Sequence, residues 1–157
     1  MENFDVKYMK MAKIWSTNSY ALRKKVGAIV VKDNRIVSDG FNGTPAGFEN
    51  ECEYYGRCDH KCTNLFDNNC ETCNERQLIT KNYVLHAEAN AILKAAKYGG
   101  IGLEGATLYT TLSPCIECAK LIIQSGISKV IYNEKYRDTS GLDLLKRAKI
   151  KVRQIKI

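Results

Sequence analysis

Phe4, Tyr8, Met11, Ala12 and Trp15 recur at helical spacing, which predicts an amphipathic helix over residues 4–18. "VGAIVVKDNRIVSDGF" holds two β-rich runs around a polar "KDN" and reads as an antiparallel hairpin. "FNGTPAGFEN" gathers Asn, Gly and Pro into a loop. The stretch from Cys52 to about residue 75 shows neither helical nor strand periodicity, so it is expected to be an insertion with its own organising principle. Beyond it, "HAEANAILKAAKYGG" predicts a helix stopped by paired glycines, and "ATLYTTL" a strand. "SPCIECAKLIIQSG" predicts a helix with Pro114 near its first turn and Gly126 at its end. "SKVIYN", "GLDLLKRAK" and "IKVRQIKI" then read as strand, helix and strand. Strands alternating with helices imply an α/β sandwich with a partly parallel sheet, in one domain spanning residues 1–157.

Composition narrows the class. The chain has 157 residues, 45% hydrophobic and 26% charged, as expected of a globular protein with a real core. No apolar run approaches the roughly 18 to 20 residues that span a bilayer. The opening "MENFDVKYMKMAKIW" carries charges throughout and lacks the apolar region of a signal peptide, so a cytoplasmic location is the expectation. Seven cysteines without an export signal point to metal ligation or catalysis rather than disulfides. The formal charge of +7 fits a solvated basic surface, or attraction to an anionic ligand such as a nucleic acid or a phosphorylated small molecule.

Two short strings carry the candidate chemistry: "HAE" at His86–Glu88 and "PCIEC" at Pro114–Cys118. Alone, each has an ordinary reading: a helix cap with a first-turn carboxylate, and buried thiols beside Ile116 and Leu121. Together they offer one imidazole, two thiolates and a carboxylate that need not bind metal. Catalytic zinc keeps three protein ligands and leaves its fourth position to water. H-x-E followed by P-C-x-x-C is the pattern of zinc-dependent nucleobase deaminases. Both strings fall at predicted helix starts, where unpaired N–H groups and the helix dipole favour thiolates. Cys115 and Cys118, three apart, share one helix face, whereas Glu88 is turned away from His86 and towards a metal-bound water.

With these strings in place, the sequence resembles the deoxycytidylate (dCMP) deaminases of the cytidine deaminase superfamily. "VGAIVVKDNRIVSDGFNGTPAG", "LHAEANAIL", "EGATLYTTLSPCIECAKLIIQSGI" and "KVIYNEKYRD" resemble family blocks in family order. The "GFNGTPAGFEN" loop favours dCMP deaminases over their relatives acting on cytidine, tRNA adenosine, guanine or riboflavin precursors. The resemblance implies a three-layer α/β/α cytidine-deaminase-like sandwich around a mixed, roughly five-stranded sheet. It also implies zinc on His86, Cys115 and Cys118, with Glu88 as general base and then general acid in converting dCMP to dUMP and ammonia. The backbone around Ala87 and Ser113 is expected at the base edge. Asn42 matches the family's asparagine near the sugar, although it also suits a left-handed turn before Gly43. Thr44, Tyr136 and Arg137 are candidates for the phosphate side, with Lys24 and Lys25 weaker ones. Family enzymes are often hexamers controlled by dCTP and dTTP, Mg2+ accompanying the nucleotide, and Lys94 and Lys97 are the candidates for that role. Neither a nucleic acid nor a membrane is expected as partner.

The Cys-rich insertion goes beyond the family's minimal form. Its C-x3-C and C-x2-C pairs suggest a structural zinc on Cys58, Cys62, Cys70 and Cys73, with His60 or Cys52 as substitutes. A nucleic-acid-binding zinc module on a deaminase scaffold is the competing class, but such a module has no use for Glu88.

Overall fold

The computed structural model describes residues 3–56, 77–98, 100 and 102–157. Its first helix, α1 (Phe4–Ser16), is capped by the Asn3 side chain, which accepts from Asp5 N–H at 3.1 Å. Strands β1 (Gly27–Lys32) and β2 (Arg35–Phe41) form the expected hairpin. Its two-residue turn, Asp33–Asn34, has φ of 50° and 58°, the left-handed pair that matches strand twist. The short strands β3 (Glu53–Tyr55) and β4 (Leu78–Thr80) pair antiparallel as a separate ribbon flanking the Cys-rich segment. Then follow α2 (Ala87–Tyr98), β5 (Thr107–Leu112), α3 (Ile116–Gln124), β6 (Lys129–Glu134), α4 (Ser140–Arg147) and β7 (Lys151–Gln154).

The main sheet has five strands in the order β2-β1-β5-β6-β7, antiparallel through β5 and parallel from β5 to β7. Alternation along each strand assigns side chains to its two faces. Ile29, Val31, Tyr109 and Ile131 meet α1 through Met9 and Ala12. Ala28, Val30, Leu108 and Val130 meet Ala87 and Ala91 of α2, Ala119 and Ile122 of α3, and Leu145 of α4. These are the three layers of the expected sandwich. Burying a side chain such as Leu108 or Ile122 contributes about 1.5–3 kcal/mol. Among the described residues, no helix is long and apolar enough to cross a membrane.

Two expectations need correction. The buried stripe of α1 is Met9, Ala12 and Ser16, with Tyr8 at its edge, whereas Phe4, Met11 and Trp15 are exposed. Small residues at 12 and 16 let the helix lie directly on the sheet, so the bulky side chains turn outward. The insertion, read as beginning at Cys52, instead opens with an ordered strand: Cys52 is buried, and its C=O accepts from Lys81 N–H at 2.9 Å across the ribbon. Three-residue strands are too short to declare a period.

Candidate active site

The order of the sheet brings distant segments to one end of it. Parallel β5 and β6 terminate there, antiparallel β1 begins there, and β2 finishes beside it. The loops at this end enclose a cleft of about 270 Å³ lined by residues that include His86, Ala87, Glu88, Ser113, Cys115, Tyr136 and Arg137.

His86 and Cys115 immediately precede α2 and α3. The approach to His86 is locked by a two-hydrogen-bond bridge between Gly43 and Leu85 (3.0 and 2.8 Å). Asn90 Nδ2 also donates to the Phe41 carbonyl at 2.7 Å, tying α2 to the end of β2. Each motif backs onto a glycine. A Cβ at Gly40 would stand 2.3 Å from Ala87 O and 2.5 Å from Ala91 N. At Gly141 it would stand 2.2 Å from Pro114 O and 2.7 Å from Cys115 C and O. Such contacts are impossible without backbone movement, so these glycines set how closely β2 and α4 hold the two motifs.

Cys115 Sγ and Cys118 Sγ lie 3.3 and 3.4 Å from His86 Nδ1, and all three donor atoms fall within 4.8 Å of one another. Tetrahedral zinc with ordinary Zn–S and Zn–N bonds separates such atoms by about 3.5 Å. One imidazole and two sulfurs are also the softness that zinc favours, so the donor set fits the ion. Glu88 is buried, its Oε2 3.6 Å from Cys118 Sγ and beside the triad. Burial raises its carboxyl to about 6, against the pull of His86. The hydrogen bond from the Cys118 thiol, aided by His86, draws Cys115 down to about 3. The same bond pushes Cys118 up, with burial and Glu88 adding to it. Two thiols sharing one proton divide in this way, whereas a bound dication favours both as thiolates. The His86 imidazole is raised, chiefly by its bond to Cys115.

The remaining candidates separate. Asn42 lines the cleft, but its amide is engaged: Oδ1 accepts from Val26 N–H at 2.8 Å and Nδ2 donates to the Lys24 carbonyl at 2.9 Å. It is not left-handed either; among described non-glycine residues only Asp33, Asn34 and Lys149 have positive φ. Ser113 N–H donates to Glu134 O, and its hydroxyl accepts from Tyr136 N–H, both at 2.8 Å, so it holds the Tyr136–Arg137 loop over the cleft. Thr44 lies outside the cleft lining, its hydroxyl turned to Glu49 O at 2.9 Å within its own loop. Lys24 is on the rim, paired with Glu134, while Lys25 is not part of the lining. Lys94 and Lys97 are likewise away from the cleft: Lys94 pairs with Asp39 at 2.7 Å, and Lys97 sits 5.3 Å from the Tyr98 ring centroid. Cys58, His60, Cys62, Cys70 and Cys73 lie outside the described residues. Cys52 is buried, with Sγ 3.8 Å from Asn50 O.

Sequence reasoning missed Arg23, Glu53, Thr80 and Val84, all of which line the cleft. No motif marks them; Arg23 stands in a basic run and Glu53 in an acidic one, each reading as solvated surface.

A mixed sheet whose paired helix starts bring one His and two Cys donors together is the arrangement expected of a zinc-binding deaminase. The chain belongs to the family described as the cytidine and deoxycytidylate deaminase zinc-binding region, which it matches over residues 2–134. It is 36% identical over 156 residues to the deoxycytidylate deaminase of Saccharomyces cerevisiae, covering 97% of this chain but 45% of that protein. With the deoxycytidylate deaminase of Enterobacteria phage T4 it shares 37% identity over 166 residues, covering 92% of this chain and 86% of the relative. The crystal structure of the dCMP deaminase from cyanophage S-TIM5, in complex with dCMP and dUMP, superposes with a TM-score of 0.80 at 38% identity, covering 99% of each chain. The chain therefore spans less than half the length of the yeast relative and nearly all of the cyanophage one.

Proposed function

We propose that this protein is a hydrolase that converts dCMP to dUMP and ammonia, with zinc held by His86 Nδ1, Cys115 Sγ and Cys118 Sγ. The observation that carries the reading is the buried Glu88 carboxylate beside three convergent zinc donors, at the base of a cleft with cationic side chains on its lining. When bound, zinc supplies the Lewis acidity that makes water a nucleophile near neutral pH. Glu88 moves the protons. Its carboxylate takes one from the attacking water and passes it to the ring nitrogen beside the amino-bearing carbon; the second, from the hydroxyl now on that carbon, goes to the amino group, which leaves as ammonia as the carbonyl forms. Burial pushes this carboxyl above the usual carboxylate range, which favours its taking up a proton as well as releasing one.

Arg23 and Arg137 both line the cleft, and neither forms an ion pair among the described residues. Arg23 donates to a neutral hydroxyl and Arg137 stacks 5.8 Å from the Tyr136 ring, which supports a role for both on the substrate phosphate. The family resemblance and the C-x3-C and C-x2-C spacing support a second, structural zinc in the insertion. Homo-oligomer formation and control by dCTP and dTTP rest on the resemblance alone. The decisive assay compares ammonia release from dCMP, dCTP, deoxycytidine and cytidine. Preferential turnover of dCMP is expected; deoxycytidine consumed as efficiently would sink the monophosphate reading.

A further inference from the structure

Residues 17–26, which connect α1 to β1, contain neither helix nor strand, yet contribute Arg23, Lys24 and Val26 to the cleft. Side chains hold this segment. Ser19 Oγ donates to the Asn42 carbonyl at 2.7 Å and accepts from Ala21 N–H at 3.2 Å, and Asn42 secures Lys24 and Val26. Between these anchors, both oxygens of Glu53 are used: Oε2 accepts from Leu22 N–H at 3.0 Å and Oε1 from Arg23 N–H at 3.3 Å. The register partner of Glu53 across the ribbon is Thr80, whose hydroxyl accepts from Arg23 Nη1 at 3.2 Å. One cross-strand pair thus grips Arg23 by its backbone and by its guanidinium.

Glu53 is only 8% exposed, on the lining of a cleft read here as binding an anion. A buried carboxylate is costly unless hydrogen bonds compensate for its lost hydration. Accepting two charge-assisted hydrogen bonds satisfies it and leaves the Arg23 guanidinium on a neutral hydroxyl, its charge available to a ligand. We infer that Glu53, with Thr80, is a positioning residue that fixes Arg23 on the cleft wall and thereby sets the preference for a nucleoside monophosphate over the nucleoside. The inference rests on the proposed dCMP activity and assigns the β3–β4 ribbon a direct part in selectivity.

The test measures dissociation constants of dUMP and deoxyuridine for the zinc-loaded wild type, Glu53→Gln and Thr80→Val, together with kcat and KM for dCMP. In Glu53→Gln the amide NH2 faces a backbone donor, and the dUMP-over-deoxyuridine preference is expected to fall about tenfold or more. KM for dCMP should rise by a similar factor, with a much smaller change in kcat. Thr80→Val, which removes only the guanidinium's acceptor, should lower the same preference by about threefold and serves alone if Glu53→Gln fails to fold. Wild-type protein that binds dUMP no better than deoxyuridine would overturn the monophosphate reading, and this role with it. A clear wild-type preference that persists in the variants, with any loss equal for both ligands, would overturn the role of Glu53 alone.

Discussion

The base of the cleft takes its chemical groups from two short stretches, His86–Glu88 and Cys115–Cys118, whereas one wall gathers Arg23, Asn42, Glu53 and Thr80 from four places in the chain. In the base, each stretch is a helix start, so local geometry sets the spacing of its donors and the tertiary fold has only to bring two rigid pieces together. The wall has no such pieces. Its conformation is written in hydrogen bonds between residues 16 to 57 positions apart, most of them donated by backbone N–H groups to side-chain oxygens. The contrast teaches that in this molecule a reaction centre can be compact in sequence while the surface that selects its substrate is dispersed.

That contrast can be broken or sharpened by mutation. Glu88→Gln strikes the base: turnover of dCMP is expected to fall by about 10² to 10⁴-fold with zinc content retained, as steady-state kinetics and metal analysis would show. Full activity in that variant would remove the proton-transfer role. Gly141→Ala acts one layer behind, forcing Pro114 and Cys115 away from α4; zinc affinity should drop about 10–100-fold in a competition titration with a chelator. If affinity holds, the packing behind the thiols is more forgiving than the 2.2 Å approach implies. Asn42→Ala belongs to the wall. It leaves Val26 N–H and Lys24 C=O without their partner, and should cost about 1–3 kcal/mol by denaturant unfolding, raising KM more than it lowers kcat. The smallest effect is expected at Lys94, outside both regions. Its half-exposed pair with Asp39 contributes about 0.2–1 kcal/mol, so Lys94→Ala should barely shift thermal stability or dCMP turnover without effectors.

The helices and strands of the main sheet were legible because their apolar periods are long enough to declare themselves, as in "GAIVV" and "TLYTTL". The face of α1 was misread because helical spacing admits two neighbouring stripes, and only contact with the sheet selects Met9, Ala12 and Ser16 over Phe4, Met11 and Trp15. The three-residue strands β3 and β4 went unseen because their stability comes from pairing, not from any pattern within either.

By itself, then, the sequence determined the α/β class, the hairpin, and the His-x-Glu and Pro-Cys-x-x-Cys groups, because each depends on residues within a turn or two of one another. Only the tertiary structure decided that Nδ1 of His86 faces the two sulfurs, that Asn42 serves the backbone, and that Glu53 and Thr80 hold Arg23. Those outcomes depend on which loops the strand order brings to one end of the sheet. No local propensity encodes that meeting; it follows from burying apolar residues on both faces of one sheet at once.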